Sequence, residues 1–306
     1  MTMLALTSAK GAPGVSTAAL AMTLLWPRAV LLAECDPAGG SSILAGYLRG
    51  TVEHSRGLLP LAQAQRRDEL EQALWTQTIP LTSEASSPSH SSPGPGIDRR
   101  LLPGLSDAAQ APSTTALWGP LGSLLTSLER AGTDVIVDAG RLGAAYTPMP
   151  LLRQADLVLL VMGTTLPAVA AVKARLGLLR EDLSITGNSG RDGHVSSLGL
   201  LLVGEGRPYS AKEISAACGI QVVAALAWDP AAAEVLAAGA TPSRRFDSSP
   251  LVRSTRAAIS ASSEVIRHRR DRLAPPIPTP PAFAAPNIAA PSLAERLLAR
   301  EAASDA

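Results

Sequence analysis

The chain of 306 residues is poor in aromatic side chains, in cysteine and in lysine. Aromatic residues make up 3% of it, so leucine, valine and alanine must fill its core, and hydrophobic residues at 46% are numerous enough to do so. The two cysteines, Cys35 and Cys218, exclude a disulfide scaffold and favour a reduced, cytoplasmic protein. No basic segment precedes an apolar one at the start, and the apolar run Ala18–Trp26 is too short for a bilayer. We therefore expect neither a signal peptide nor a transmembrane helix.

Lysine is the scarcer basic residue, with only Lys10, Lys173 and Lys212 among 27 basic side chains. The preference for arginine is typical of GC-rich bacterial genomes, and the formal net charge of +1 argues neither for nor against nucleic acid. One of the three lysines lies in the segment S-A-K-G-A-P-G-V-S-T, residues 8–17. An apolar stretch at 3–7 predicts a buried parallel strand before it, and Val15–Trp26 predicts a buried helix after it. Strand, glycine-containing loop and helix are the context of a phosphate cradle.

The loop suits an anion because helix N-terminal N–H groups point at it and the helix dipole favours negative charge. Gly11 and Gly14 permit close backbone approach, and the Ser16 hydroxyl has the position of a Mg²⁺ ligand. Val15, however, stands where the phosphate-binding lysine normally is. The alternative interpretation is an ordinary tight glycine turn that opens a helix in an α/β protein.

Two acidic strand ends accompany the loop. A second apolar run at 29–34 ends in Glu34-Cys35-Asp36-Pro37, and a β-branched run at 134–137 ends in Asp138. Ligands of open α/β sheets bind at the carboxyl edge of the strands, where all three segments would meet. Taken singly, Asp36 is also explained as a turn residue before proline, and Asp138 as a helix N-cap after a strand.

Together these segments resemble the ParA/MinD family, whose deviant Walker A loop is roughly K-G-G-x-G-K-[ST]. Lys10 matches that family's extra signature lysine, and Gly11, Gly14, Ser16 and Thr17 also match. Ala12 and Pro13 depart mildly from the pattern and Val15 seriously. Asp36-Pro37 matches the family's D-x-D-P-x-G-N element with Glu34 in place of the first acid, and Asp138 resembles the Walker B aspartate.

The resemblance implies an α/β fold with a doubly wound, mostly parallel sheet flanked by helices, that is, a P-loop NTPase of the deviant Walker A class. It implies ATP and Mg²⁺ as cofactors, with Ser16, Asp36 and Asp138 at the metal. It also implies Asp36 and Lys10 as catalytic residues, Lys10 acting across a homodimer. The implied nucleotide-binding residues are Lys10, Gly11, Ala12, Pro13, Gly14, Val15, Ser16 and Thr17.

Two functions follow from this pattern. The first is a weak or slow ATPase that dimerises around ATP and signals to protein partners in intracellular positioning or chromosome partitioning. The second is a non-hydrolysing pseudo-ATPase that serves as a protein-interaction scaffold, with a basic run that offers phosphate contacts for association with DNA. Loss of the lysine at 15 costs about 1.5–3 kcal/mol, or about tenfold to a hundredfold in affinity. The family's adenine-contacting Asn is replaced by Gly204-Glu205-Gly206-Arg207, which leaves base specificity open.

The organisation predicted is one ParA/MinD-like domain over 1–272 and a Pro/Ala-rich disordered tail over 273–306 with a short terminal helix. A Ser/Pro/Gly-rich stretch at 82–114 predicts a mobile insertion or long loop. Arg267, Arg269, Arg270 and Arg272 form the densest basic run, which suits DNA phosphates or, alternatively, a solvated helix end. The tail helix lacks bulky aromatic residues and a basic face, so membrane binding is unlikely on physical grounds and a partner-docking helix or a plain tail is favoured.

Overall fold

Alternating strands and helices build a single sheet covered on both faces. The computed structural model describes residues 3–11, 14–81, 97–183 and 197–273. The strands within them are β1 (Met3–Ser8), β2 (Val30–Glu34), β3 (Ile79–Pro80), β4 (Arg99–Leu102), β5 (Asp134–Arg141), β6 (Leu157–Gly163), β7 (Leu198–Val203) and β8 (Val222–Leu226). They form one sheet in the order β3-β4-β2-β5-β1-β6-β7-β8.

Every neighbouring pair of strands is parallel except β3 and β4 at one edge, which are antiparallel. β1 lies in the middle between β5 and β6, and all six of its residues are buried. A strand buried on both faces reads as a continuous apolar run, which explains the composition of residues 3–7. The doubly wound, mostly parallel sheet predicted from the sequence is confirmed.

Helices cover both faces of the sheet. The α-helices are α1 (Val15–Leu25), α2 (Leu58–Arg66), α3 (Leu70–Leu74), α4 (Trp118–Ser127), α5 (Met149–Gln154), α6 (Leu166–Asp182), α7 (Ala211–Cys218), α8 (Pro230–Ala238) and α9 (Pro250–Leu273). A π-helix spans Ile43–Tyr47, and 3₁₀ helices span Trp75–Gln77, Ala108–Thr114, Leu128–Ala131 and Phe246–Ser248. No helix in the described part of the chain is long and apolar enough to cross a membrane.

Alternate side chains of β1 enter two separate apolar cores. Met3 and Ala5 pack with residues of α2, α4 and α6, whereas Leu4 and Leu6 pack with residues of α1, α8 and α9. This follows from the two-residue period of a strand. The second core lies beneath the N-terminus of α1, so it positions the loop between β1 and α1.

The prediction of a loop over 82–114 is wrong for its second half. Residues 97–114 contain strand β4 and the 3₁₀ helix Ala108–Thr114, while residues 82–96 lie outside the described part of the chain. The hydrophobicity pattern does not predict this strand because the strand begins with two arginines. Arg99 is nevertheless only 2% exposed, since its guanidinium donates to the carbonyls of Thr23 (3.1 Å) and Trp26 (2.7 Å) at the end of α1. These bonds satisfy helix-terminal carbonyls that otherwise lack partners.

The described residues up to Asp271 form one compact unit. The predicted tail over 273–306 lies outside the described part of the chain apart from the backbone of Leu273, and it stays a prediction.

Candidate phosphate-binding site

The connection from β1 to α1 forms an open helix N-terminus. Gly14, the residue before α1, has φ 110° and ψ 0°, a conformation that side-chain-bearing residues rarely adopt. It provides no side chain to cap the helix, so the first-turn N–H groups are left for an external acceptor. Gly11 has φ 77° and donates its N–H to the Ser8 hydroxyl at 3.0 Å, which holds the loop against the strand. Ala12 and Pro13, two of the predicted nucleotide-binding residues, lie outside the described residues.

A cavity of about 270 Å³ opens at this helix N-terminus. The predicted site residues that line it are Gly11, Gly14, Val15, Ser16, Thr17 and Asp36. Val15 is 6% exposed and packs into the apolar core beneath α1. Its side chain therefore contributes packing to the site and no charge.

Asp138, the fifth residue of β5, is buried and contacts this site through Ser16. Its carboxylate accepts hydrogen bonds from the Ser16 hydroxyl and from the Gly140 N–H at 3.0 Å. The pKa of Asp138 is raised from 3.8 to about 6, mainly by burial and also by the charge of Asp36, while these two hydrogen bonds oppose the rise. Within the described residues no basic side chain forms an ion pair with Asp138. A buried acid without a basic partner suits a cation ligand.

Asp36 lies opposite, at the start of the turn after β2. Its carboxylate accepts the Ala38 N–H at 2.9 Å and packs on the backbone of Gly140. A methyl group on Gly140 would come 2.1 Å from Cγ of Asp36, so glycine is required there. The turn interpretation of Asp36 is thus correct for one oxygen, and the same carboxylate also faces the cavity.

These residues fit Mg²⁺ that is shared with a ligand. Ser16, Asp36 and Asp138 offer a hydroxyl and two carboxylates, which are the oxygen donors that Mg²⁺ prefers. No group of three His, Cys, Asp or Glu side chains in the described part of the chain could hold a metal alone. The remaining oxygens would have to come from phosphate and water.

Glu34, which replaces the first acid of the family motif, has a structural role. It accepts the Ser41 hydroxyl, the Gly104 N–H at 3.3 Å and the Ile43 N–H at 3.5 Å. These bonds join β2 to the π-helix Ile43–Tyr47 and to the segment after β4. Burial raises the pKa of Glu34 from 4.5 to about 7, with Asp138 adding to the rise and the hydrogen bonds opposing it.

Glu34→Gln is expected to flatten the dependence of stability on pH. The folded pKa exceeds 4.5, so the native state holds the proton more tightly than the unfolded chain. The resulting stability is complete below about pH 4.5 and is lost as pH rises through about 7, an effect on the order of 3 kcal/mol. Thermal melting of wild type and variant across this range measures it. The exposed acid Glu181, changed to Gln, is the matched control and should keep the wild-type slope; equal slopes for wild type and Glu34→Gln would contradict the expectation.

Lys10 lies outside this cavity. Its side chain is exposed and lines a separate cavity of about 420 Å³ with residues of β6 and α6. The site therefore gains no lysine from its own loop within one chain. The role predicted for Lys10 across a dimer stays a prediction.

A third cavity, of about 430 Å³, adjoins the first and shares Gly14, Thr17 and Ala237 with it. Its other walls come from the end of β8 and the start of α8, including Trp228 and Pro230. The walls are mainly apolar, which suits a flat ring system beside a phosphate site.

The basic run near the end of α9 is partly engaged within the protein. Arg269 donates to the Asp156 carbonyl at 2.7 Å, and Arg270 binds both Asp156 carboxylate oxygens at 2.8–3.0 Å. Arg270 also donates to Glu129 at 2.6 Å, and Arg267 lies 3.4 Å from Glu264. Charges paired in this way are weaker phosphate ligands than the sequence alone indicates.

Sequence reasoning misses one basic residue at the site, Arg141. This last residue of β5 lines the phosphate cavity. The available signal is its position, three residues after Asp138 at a carboxyl strand end.

No family model and no curated protein matches the chain. Solved structures do resemble it. A ParA family ATPase from Chlorobium tepidum TLS is 16% identical with a TM-score of 0.59, covering 85% of this chain and 98% of its own. The septum site-determining protein MinD with Mg-ADP from Pyrococcus horikoshii OT3 is 17% identical with a TM-score of 0.55, covering 87% and 96%. A Cyanothece McdA variant in complex with ATP is 16% identical with a TM-score of 0.58, covering 86% and 96%. These similarities show that the chain has the fold of the ParA and MinD proteins.

Proposed function

We propose that the chain binds ATP with Mg²⁺ in the cavity at the N-terminus of α1 and acts as a slow, dimerising switch in intracellular positioning or partitioning. One observation carries this proposal. The uncapped helix N-terminus, Ser16 and the Asp36 carboxylate line one cavity. The buried Asp138 carboxylate adjoins it through its hydrogen bond with the Ser16 hydroxyl. Similar folds are named as binding Mg-ADP and ATP.

Each group has a distinct task in this proposal. The first-turn N–H groups of α1 bind the phosphates, and Mg²⁺ held by Ser16 and Asp138 would neutralise phosphate charge. Asp36, less buried than Asp138, accepts a proton or a hydrogen bond from the attacking water. The adjoining apolar cavity beside Trp228 receives the base.

Val15 explains why turnover should be slow. A lysine at 15 would donate charge-assisted hydrogen bonds, and its loss costs about 1.5–3 kcal/mol of binding. Phosphoryl transfer depends on positioned cations, so the transition state loses more than the ground state.

In this proposal the dimer forms through the face that carries Lys10. Trp228, an apolar side chain that is 51% exposed, lines the same cavity as Lys10. Leu166, 63% exposed, lies in the chain between Thr165 and Pro167, which also line that cavity. Exposed apolar groups around a cavity are typical of an interaction surface. A second copy of the chain covering this face would bring its own Lys10 toward the phosphates, and an unidentified protein partner would sense the dimer.

Calorimetric titration with ATP·Mg²⁺ and ADP·Mg²⁺, followed by phosphate-release kinetics, tests the proposal. We expect detectable binding of both nucleotides, because the helix N-terminus can hold phosphate and the oxygen donors beside it can hold Mg²⁺. No detectable binding at millimolar nucleotide would reject the switch. Light scattering of the same samples should show an ATP-dependent dimer that Lys10→Ala abolishes and the exposed-lysine control Lys212→Ala preserves.

A non-hydrolysing scaffold is the second candidate. It is favoured by Val15 and by Gly204-Glu205-Gly206-Arg207 in place of the family's adenine-contacting Asn. Binding of ATP without phosphate release would select it.

A DNA association through Arg267, Arg269, Arg270 and Arg272 is tested by replacing the first three with Ala. Unaltered, salt-sensitive DNA retention by that variant would reject this run as the binding surface.

A further inference from the structure

Arg141 is the cationic side chain that the strands bring to the phosphate cavity. It ends β5 and pairs in register with Ser8, the last residue of β1, directly before the phosphate loop. Its Cδ lies 3.5 Å from the point that a Cβ on Gly11 would occupy, so the side chain lies against Gly11 of the loop. It lines the cavity together with Gly14, Ser16 and Asp36.

An irregularity in β5 sets the direction of this side chain. Leu6 pairs with Asp138 and Ser8 with Arg141, so three steps along β5 match two along β1. An extra residue of this kind is a bulge, and bulges re-aim side chains next to sites. In a regular strand residues three apart face opposite sides of the sheet. The extra residue brings Arg141 to the side of Asp138, where α1 and the cavity lie.

The guanidinium of Arg141 has no internal acidic partner among the described residues. Other arginines do, such as Arg28 with Asp134 (2.7 Å) and Arg270 with Asp156 (2.8 Å). The Arg141 side chain takes part in no ion pair or hydrogen bond between described residues. An unpaired arginine in a cavity lined by the Asp36 carboxylate, with the Asp138 carboxylate buried behind Ser16, fits an anionic ligand that binds together with Mg²⁺.

We propose that Arg141 replaces the missing lysine at 15 and binds the terminal phosphates of the ligand from within the same chain. This inference rests on the proposed function, because it concerns the same cavity. Arginine suits the task since its planar fork donates two parallel bonds to phosphate and stays charged at every physiological pH. The same strand end then supplies the phosphate cation, Arg141, and the metal ligand, Asp138. Lys10, which lines another cavity, is not needed for binding by the monomer.

Titration calorimetry of Arg141→Ala, Arg141→Lys and wild type with ATP·Mg²⁺ tests the inference. Loss of one charge-assisted phosphate contact should weaken binding about tenfold to a hundredfold in Arg141→Ala. Arg141→Lys keeps the charge and should lose no more than about fivefold. Arg253→Ala, which removes an exposed arginine from α9, is the matched control and should equal wild type. Equal melting temperatures of the variants show that the fold is intact, since Arg141 is exposed.

Pyrophosphate·Mg²⁺, titrated in parallel, separates this inference from the proposed function. If wild type binds pyrophosphate but no nucleotide, the nucleotide switch is rejected, and weakened pyrophosphate binding by Arg141→Ala still supports the role of Arg141. If Arg141→Ala binds ATP and pyrophosphate within about twofold of wild type, the inference is overturned while the proposed function stands. Wild type that binds neither ligand overturns both.

Discussion

Gly140→Ala is expected to lower the free energy of unfolding by about 2–5 kcal/mol and to remove Mg²⁺-dependent nucleotide binding. Gly140 has φ 61°, where a Cβ meets the following carbonyl oxygen at a cost of about 1–2 kcal/mol. The added methyl group also overlaps the Asp36 carboxylate, with 2.1 Å to its Cγ. Relief requires Asp36 or the end of β5 to move, and such overpacking costs about 1–3 kcal/mol more. Urea unfolding and ATP·Mg²⁺ calorimetry measure the two effects.

Gly50→Ala provides the matched control for Gly140→Ala. Gly50 has φ 65°, nearly the same backbone conformation, but a Cβ there meets nothing within 4 Å. This variant should lose only the backbone term of about 1–2 kcal/mol and keep its binding site. If Gly140→Ala is no less stable than Gly50→Ala, the contact between Gly140 and Asp36 does not constrain the site. If its ligand affinity also equals that of wild type, the position of Asp36 is unimportant for binding.

The sequence predicts the part of the site that residues close together in the chain form. Gly14 and Ser16 follow a buried strand and open a helix, so their places depend on fewer than about 15 neighbouring residues. Asp36 and Asp138 are predicted as site residues because each ends an apolar run, and carboxyl ends of parallel strands meet at one edge. The cavity that holds Gly14, Ser16 and Asp36 agrees with this prediction.

The remaining features depend on segments far apart in the chain. Glu34 holds Ser41 and Gly104, and the latter lies 70 residues away. Arg141 faces the cavity only because β5 carries an extra residue relative to β1. The hydrophobic pattern of one strand does not reveal how its residues pair with those of a neighbouring strand.

Two further elements differ from the sequence predictions, one because of a distant contact and one despite a local signal. Strand β4 is hidden because Arg99 is buried by bonds to the end of α1 rather than by apolar character. Helix α8 is absent from the sequence predictions although a capping signal precedes it. Asp229 accepts the Ala232 N–H at 3.2 Å, and Pro230 occupies the first helical position, as expected of a helix start.

Asp138→Asn is expected to raise stability at neutral pH while it removes the Mg²⁺ contribution to nucleotide binding. Burial raises the pKa of Asp138 from 3.8 to about 6. Because the folded pKa is the higher one, wild type loses stability as pH rises from about 4 through about 6, on the order of 3 kcal/mol. Asparagine is neutral at every pH, so the variant avoids this loss. Its amide oxygen can still accept the Gly140 N–H that now binds the carboxylate.

The Asp138 carboxylate lowers stability at neutral pH but favours ligand binding. An ionised Asp138 stabilises a bound cation, which a neutral amide cannot do. Ionisation of Asp138 destabilises the ligand-free protein because the charge is buried, and Mg²⁺ binding offsets this cost. Mg²⁺ should accordingly strengthen ATP binding by wild type more at pH about 8 than at pH about 5, where Asp138 holds its proton. In Asp138→Asn, ATP affinity should be the same with and without Mg²⁺ at both pH values.

Glu34→Gln separates these two consequences for Asp138. It too removes a buried acid with a raised pKa, at the end of the neighbouring strand β2, and Glu34 pairs in register with Asp138. Glu34→Gln should therefore gain stability at neutral pH like Asp138→Asn, yet retain the Mg²⁺ effect, because its carboxylate is occupied by Ser41 and Gly104. Melting curves of both variants measure the change in stability, and calorimetry measures the effect of Mg²⁺ on ATP binding. An undiminished Mg²⁺ effect in Asp138→Asn would show that the cation is held elsewhere, whereas a lost effect in both would show that any change in charge beneath the loop disables the site.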